Sequence, residues 1–76
     1  MGKAGKALKQ VLETYAISQN QLAVAMGIAR SSINGWVKET RSPTSDAILE
    51  IRRGLQKINS EAAEEFISLY LSEDES

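Results

Sequence analysis

Arg30, Ser31 and Asn34 are the residues of this chain best suited to recognition chemistry, and that chemistry is hydrogen bonding. A guanidinium can grip the O6 and N7 of a guanine bidentately, a contact worth about 1–3 kcal/mol of discrimination. A carboxamide such as Asn34 can pair with the N6 and N7 of an adenine. Covalent chemistry has far less to work with. The 76 residues include no His and no Cys. That removes the commonest general base and metal ligand, thiolate metal sites and disulfides. Catalysis would need paired carboxylates in a pocket or an activated Lys or Ser. Six of the ten acids instead gather in the last nineteen residues. The opening run GKAGK lacks both the leading Gly of a phosphate loop at the required spacing and the Ser or Thr after its Lys. An enzyme is therefore not expected, nor a metal site or cofactor. Each polar residue also has a plain alternative: Arg30 solvated or paired with Glu50, Ser31 and Ser32 as ordinary first-turn residues.

Arg30, Ser31 and Asn34 lie in the run QNQLAVAMGIARSSINGWVK, residues 19–38, which positions them. Leu22, Ala23 and Met26 are apolar at helical spacing; Gly27 interrupts, and Ile28, Ile33 and Trp36 follow. The pattern predicts two short amphipathic helices in a helix-turn-helix, the second of which can enter a DNA major groove. Ser18 is an N-cap, with Gln21 three residues on in the spacing of a capping box. Gly27 ends the first helix because glycine adopts φ > 0 without steric cost. The second runs from Arg30 to about Lys38, turning Ile33, Trp36 and Val37 inward and Arg30, Ser31, Asn34 and Lys38 outward. Its N-cap position falls on Ala29, a poor cap costing about 0.5–2 kcal/mol against Ser or Thr.

Three more helices complete an all-α chain without strands. The first covers about Lys3 to Ala16, with an apolar stripe of Ala4, Leu8, Val11, Leu12 and Tyr15. Pro43 disfavours helix at Ser42 and separates the third helix from the fourth. Thr44 or Ser42 caps the fourth, Asp46 suits its first turn, and Ile48, Leu49, Ile51, Leu55 and Ile58 are its buried side. Asn59 or Ser60 starts the fifth, whose broad apolar face is Ala62, Ala63, Phe66, Ile67, Tyr70 and Leu71. Residues 1–71 form one domain, and 72–76 an acidic flexible tail.

Charge is segregated. Residues 1–57 hold all nine bases and four acids, a formal +5; residues 58–76 hold six acids and no base, −6; the total is −1. Such asymmetry fits a polyanion partner for the basic part, or simply a solvated basic face. Lys3, Lys6 and Lys9 read as a solvated face rather than a DNA arm. No apolar run approaches the roughly 18 residues of a membrane span. Met1-Gly2 begins like a myristoylation signal, but Lys6 stands where Ser or Thr is needed. No membrane partner is expected, and a cytoplasmic location is.

At these residues the chain resembles the phage-repressor/Cro-type helix-turn-helix family, also called XRE-type. The family places a Gln at the start of helix 2, a hydrophobic residue three on, then a small residue. A glycine follows at the turn, a hydrophobic residue after it, and two more hydrophobics inside helix 3. Gln19, Leu22, Ala23, Gly27, Ile28, Ile33 and Trp36 fill these slots. The resemblance covers residues 3 to about 71. It implies a compact five-helix lambda-repressor-like DNA-binding domain with helices 2 and 3 as the helix-turn-helix.

The resemblance also implies contacts. Gln19 would bond a phosphate and orient the next contact. Arg30 and Ser31 match positions that reach base edges, and Asn34 and Gly35 match positions one turn further on. Gly35 offers no side chain but lets the helix approach the groove closely, at about 1 kcal/mol of helix propensity. Ala29 falls among the contact positions but lacks the usual cap hydroxyl. Lys38, Thr40, Arg41 and Ser42 lie where the family clamps the backbone. One departure stands out. Many members carry a Glu after the residue matching Trp36, which in some phage repressors pairs with a base on helix 1; here the two positions are Val37 and Leu12. An apolar contact in place of a buried ion pair is often neutral or stabilising.

The implied partner is double-stranded DNA, bound by a transcriptional regulator of repressor type. Family members dimerise and read half-sites about 34–36 Å apart. The fifth helix is then the candidate homodimer element, unless closing its own core uses up its apolar face. A different function class also fits the charge pattern: an antitoxin-like or other protein-interaction module whose acidic C-terminal helix binds a protein partner.

Overall fold

The apolar stripe of the first segment folds as α1, Lys3–Thr14, followed by α2, Gln19–Met26, α3, Arg30–Val37, α4, Ser45–Ile58, and α5, Ser60–Glu73. The computed structural model describes residues 3–73; Met1-Gly2 and Asp74, Glu75 and Ser76 of the expected tail lie outside the described residues. All five helices contribute to one core. Leu8 and Val11 of α1, Leu22 of α2, Ile33 of α3, Ile51 and Leu55 of α4 and Phe66 of α5 are its fully buried side chains. No polar or charged side chain is buried among the described residues, so packing of apolar surface stabilises the fold. The helix α5 packs on α4 and α1, α4 on α2, and α3 mainly on α1 and α2.

Caps set the boundaries. The capping box at α2 forms as the spacing predicts. Gln21 N–H donates to Ser18 Oγ at 3.0 Å, and Ser18 N–H donates to Gln21 Oε1 at 2.9 Å. Thr44, not Ser42, caps α4, its Oγ1 accepting from Ala47 N–H at 3.1 Å. Asn59 caps α5 through Oδ1, which accepts from Glu61 N–H at 2.9 Å. Ala29 sits in extended backbone at the N-cap of α3 with no side-chain bond, as its residue type predicts.

Three helices end in the same motif. After α2, Gly27 is left-handed at φ 72°, Gly27 N–H donates to the Val24 carbonyl and Ile28 N–H to the Ala23 carbonyl. This 5→2 and 6→1 pairing is a Schellman motif. Ala16, φ 54°, does the same after α1, with Ala16 N–H on Glu13 and Ile17 N–H on Leu12. Glu39, φ 64°, repeats it after α3, with Glu39 N–H on Trp36 and Thr40 N–H on Gly35. Helix α1 therefore stops at Thr14, two residues before the Ala16 read from its sequence.

Two predicted core residues face solvent. Leu49 is 54% exposed and Leu71 is 56% exposed. On α4 the inward residues are Ile48, Ile51, Leu55 and Ile58, spaced i, i+3, i+7 and i+10, with Ala47 beside them. Leu49 is rotated out of that stripe. On α5 the core takes Ala62, Ala63 and Phe66, with Ile67, Leu69 and Tyr70 partly covered. The stripe has turned away from Leu71 by the end of that helix.

Candidate nucleic-acid interface

The interface is built outward from α3. Ile33 and Trp36 are its buried residues. Val37 packs beside them, partly buried. They press the helix onto α1 and α2. Ser31, Asn34 and Lys38, spaced i, i+3 and i+7, and Gly35 lie away from that apolar side. Arg30, Ser31 and Lys38 are exposed, and Asn34 and Gly35 are half-buried. Sequence readout needs such side chains on a stiff element.

Gly5 sets how closely α1 approaches this helix, and the sequence does not single it out. A Cβ at Gly5 would collide with the Trp36 carbonyl oxygen, and the Glu39 stem also lies against this glycine. The absence of a side chain at Gly5 lets α1 touch the last turn of α3. Only an unexplained glycine inside an apolar-striped helix could have signalled it.

Gln19 opens α2 beside a depression of about 280 Å³ that it lines with Lys9, Leu12, Glu13, Ile17 and Val37. Leu12 and Val37 thus line the same depression. Lys9 reaches the same rim. The first-turn N–H groups of α2 are partly used by the capping box, whereas α3 starts without a side-chain cap. A helix N-terminus carries positive partial charge and favours phosphate.

Arg30 does not pair with Glu50. Glu50 accepts instead from Arg53 at 3.4 Å, an exposed pair one turn apart on α4. Lys57 is also engaged elsewhere, its Nζ donating to the Ala25 carbonyl at 3.2 Å and tying the end of α4 to α2. The cations left in and around α3 are Arg30, Lys38 and Arg41, all exposed. Thr40 and Arg41 wrap around the end of α3, where the Gly35 carbonyl accepts from both of their N–H groups. Thr40 Oγ1 donates to that same carbonyl at 3.2 Å. Of the residues singled out from the sequence, Ala29, Arg30, Ser31, Asn34, Gly35, Lys38, Thr40 and Arg41 gather on α3 and its two flanking turns, and Gln19 stands beside α1 at the start of α2.

Among the described residues, no cluster of acids could hold a metal and no helix is long and apolar enough to cross a membrane. Two short helices joined by a glycine turn, the second held by its apolar side with Arg30, Ser31 and Lys38 exposed, define a helix-turn-helix domain. The family described as Helix-turn-helix matches residues 8–61, more than half of the chain, and the protein belongs to this Cro/repressor-type (XRE) family. It is a DNA-binding transcription regulator in kind, from a family of regulatory domains rather than enzymes. No curated protein and no solved structure matches the chain.

Proposed function

We propose that the protein is a sequence-specific repressor that reads the major groove of double-stranded DNA with α3. The observation that carries this reading is a helix anchored by Ile33 and Trp36, with Arg30 exposed at its start, Ser31 and Lys38 exposed on its outer side and Asn34 half-buried between them. Arg30, Ser31 and Asn34 address base edges. Gln19, Lys38, Thr40 and Arg41 address phosphates, helped by the uncapped start of α3 at Ala29. Few cations serve the phosphates, so one copy binds weakly and two copies on inverted half-sites bind usefully. Self-association through α5 would have to use its end, where Leu71 is exposed, because the rest of its apolar face closes the core. Binding over a promoter would then block transcription by occupancy.

Selection from a randomised duplex library at about 100–150 mM salt, where non-specific phosphate binding is suppressed, tests this. Two enriched inverted half-sites about 34–36 Å apart are the expected result. A single enriched half-site would remove the dimer and keep the reader. No enrichment by folded protein would overturn sequence-specific binding and turn attention to the acidic α5 as a surface for a protein partner.

A further inference from the structure

We propose that Gly35 and Thr40 are positioning residues for Arg41: together they seat its stem on α3 and present its guanidinium as a phosphate contact beside the recognition surface. This rests on the DNA-binding reading above. It gives Gly35 a different task from letting the helix slide deeper into the groove.

Three observations converge on this seat. The Gly35 carbonyl accepts three bonds from the turn, from Thr40 N–H at 3.0 Å, Arg41 N–H at 3.3 Å and Thr40 Oγ1 at 3.2 Å. Glu39 makes the required reversal in the left-handed region at φ 64°. Finally, the space beside Gly35 is already occupied. A Cβ built there would stand 3.0 Å from Arg41 Cδ, 3.4 Å from Cγ and 3.6 Å from Cβ. The stem of Arg41 therefore lies along the face of α3 where Gly35 has no side chain. Its charged end forms no salt bridge among the described residues. An arginine whose stem is already ordered loses less rotamer freedom when it meets a phosphate.

The seat predicts an energetic coupling that groove approach does not. In the native background, Gly35→Ala displaces the Arg41 stem. Affinity for the selected duplex should fall roughly five-fold, and the salt slope by about one unit. With Arg41→Ala in place, only a Cβ at 3.6 Å remains near residue 35, an ordinary contact. Gly35→Ala should then change affinity by less than about two-fold and leave the salt slope alone. Thr40→Val removes the hydroxyl bond to the Gly35 carbonyl and should lower affinity more in the native background than with Arg41→Ala in place. In the DNA-free protein, nuclear Overhauser contacts should join Gly35 Hα to Arg41 Hδ and weaken in Thr40→Val.

Equal losses from Gly35→Ala in both backgrounds would overturn the seat and leave groove approach as the role of Gly35. Absence of the Gly35–Arg41 contacts in the native protein would also overturn it. Failure of the native protein to bind any duplex would overturn the phosphate role together with the DNA-binding reading. Binding by the native protein with an additive cycle would overturn this inference alone.

Discussion

Arg30 and Lys38 lie at opposite ends of α3, carry the same charge and should fail differently when removed. Arg30→Ala should weaken the preferred site by about 1–3 kcal/mol and relax preference at one base pair, because a bidentate base contact is lost. Quantitative binding to single-base variants of the selected site checks this; unchanged preference would sink the assignment. Lys38→Ala should weaken all duplexes alike and lower the salt slope by about one unit, the mark of a point charge on a phosphate. Titrations across several salt concentrations separate the two behaviours. The exposure of Ser31 and Lys38 was legible from spacing, because Ile33 and Trp36 turn the other side of the helix inward; Arg30, in line with Ile33 and Val37, is exposed because it opens the helix. The stem of Arg41 on Gly35 was not legible, because it depends on the turn that Glu39 makes after the helix.

At the scale of the element, the helix ends separate what residue type reveals from what it hides. Gly27 and Ala16 occupy left-handed positions of the same motif, at φ 72° and 54°. Glycine advertises that conformation and alanine does not, so the end of α2 could be read from the sequence and the end of α1 could not. The mismatch is a reservoir of strain. Ala16→Gly should raise stability by about 0.5–1 kcal/mol, the relief of a left-handed alanine less the entropy glycine loses on folding. Urea unfolding followed by circular dichroism checks it, and a destabilised variant would contradict the motif. The capping box of Ser18 and Gln21 was legible because its chemistry lies wholly within four consecutive residues.

At the scale of the whole molecule, helix approach distances decide the outcome. Gly5→Ala places a methyl against the Trp36 backbone carbonyl, which cannot yield without moving α3. Stability should fall by about 1–3 kcal/mol despite the better helix propensity of alanine. Gly54→Ala meets only side chains, the nearest being Met26 Cγ at 2.6 Å, and the pliable thioether makes its loss the smaller of the two. The shift in urea midpoint at constant slope ranks them. The packing of α5 on α1 also creates a pH dependence. Partial burial raises the Tyr15 phenol above its ordinary 10.0, with Glu65, Glu61 and Glu64 of α5 adding to the rise. Folding thus favours the neutral phenol. The contribution is complete below pH 10.0 and disappears as pH climbs through the higher folded value. Tyr15→Phe should flatten this part of the alkaline decline in urea midpoint; an identical decline would remove Tyr15 as its source.

Five helices, the glycine turn between α2 and α3, the buried side of α3 and the polar groups beyond it could all be read from the order of residues. These follow from local periodicity and cap chemistry, which operate over a few residues of one chain segment. Tertiary structure decided the rest. It turned Leu49 and Leu71 outward, because which edge of a wide apolar stripe is covered depends on where the neighbouring helix crosses. It gave Glu50 to Arg53 and left Arg30 without an ion pair among the described residues, because ion pairing depends on distance between side chains. It also set Gly5 against the Trp36 backbone, since a missing side chain acquires meaning only when another backbone comes near it.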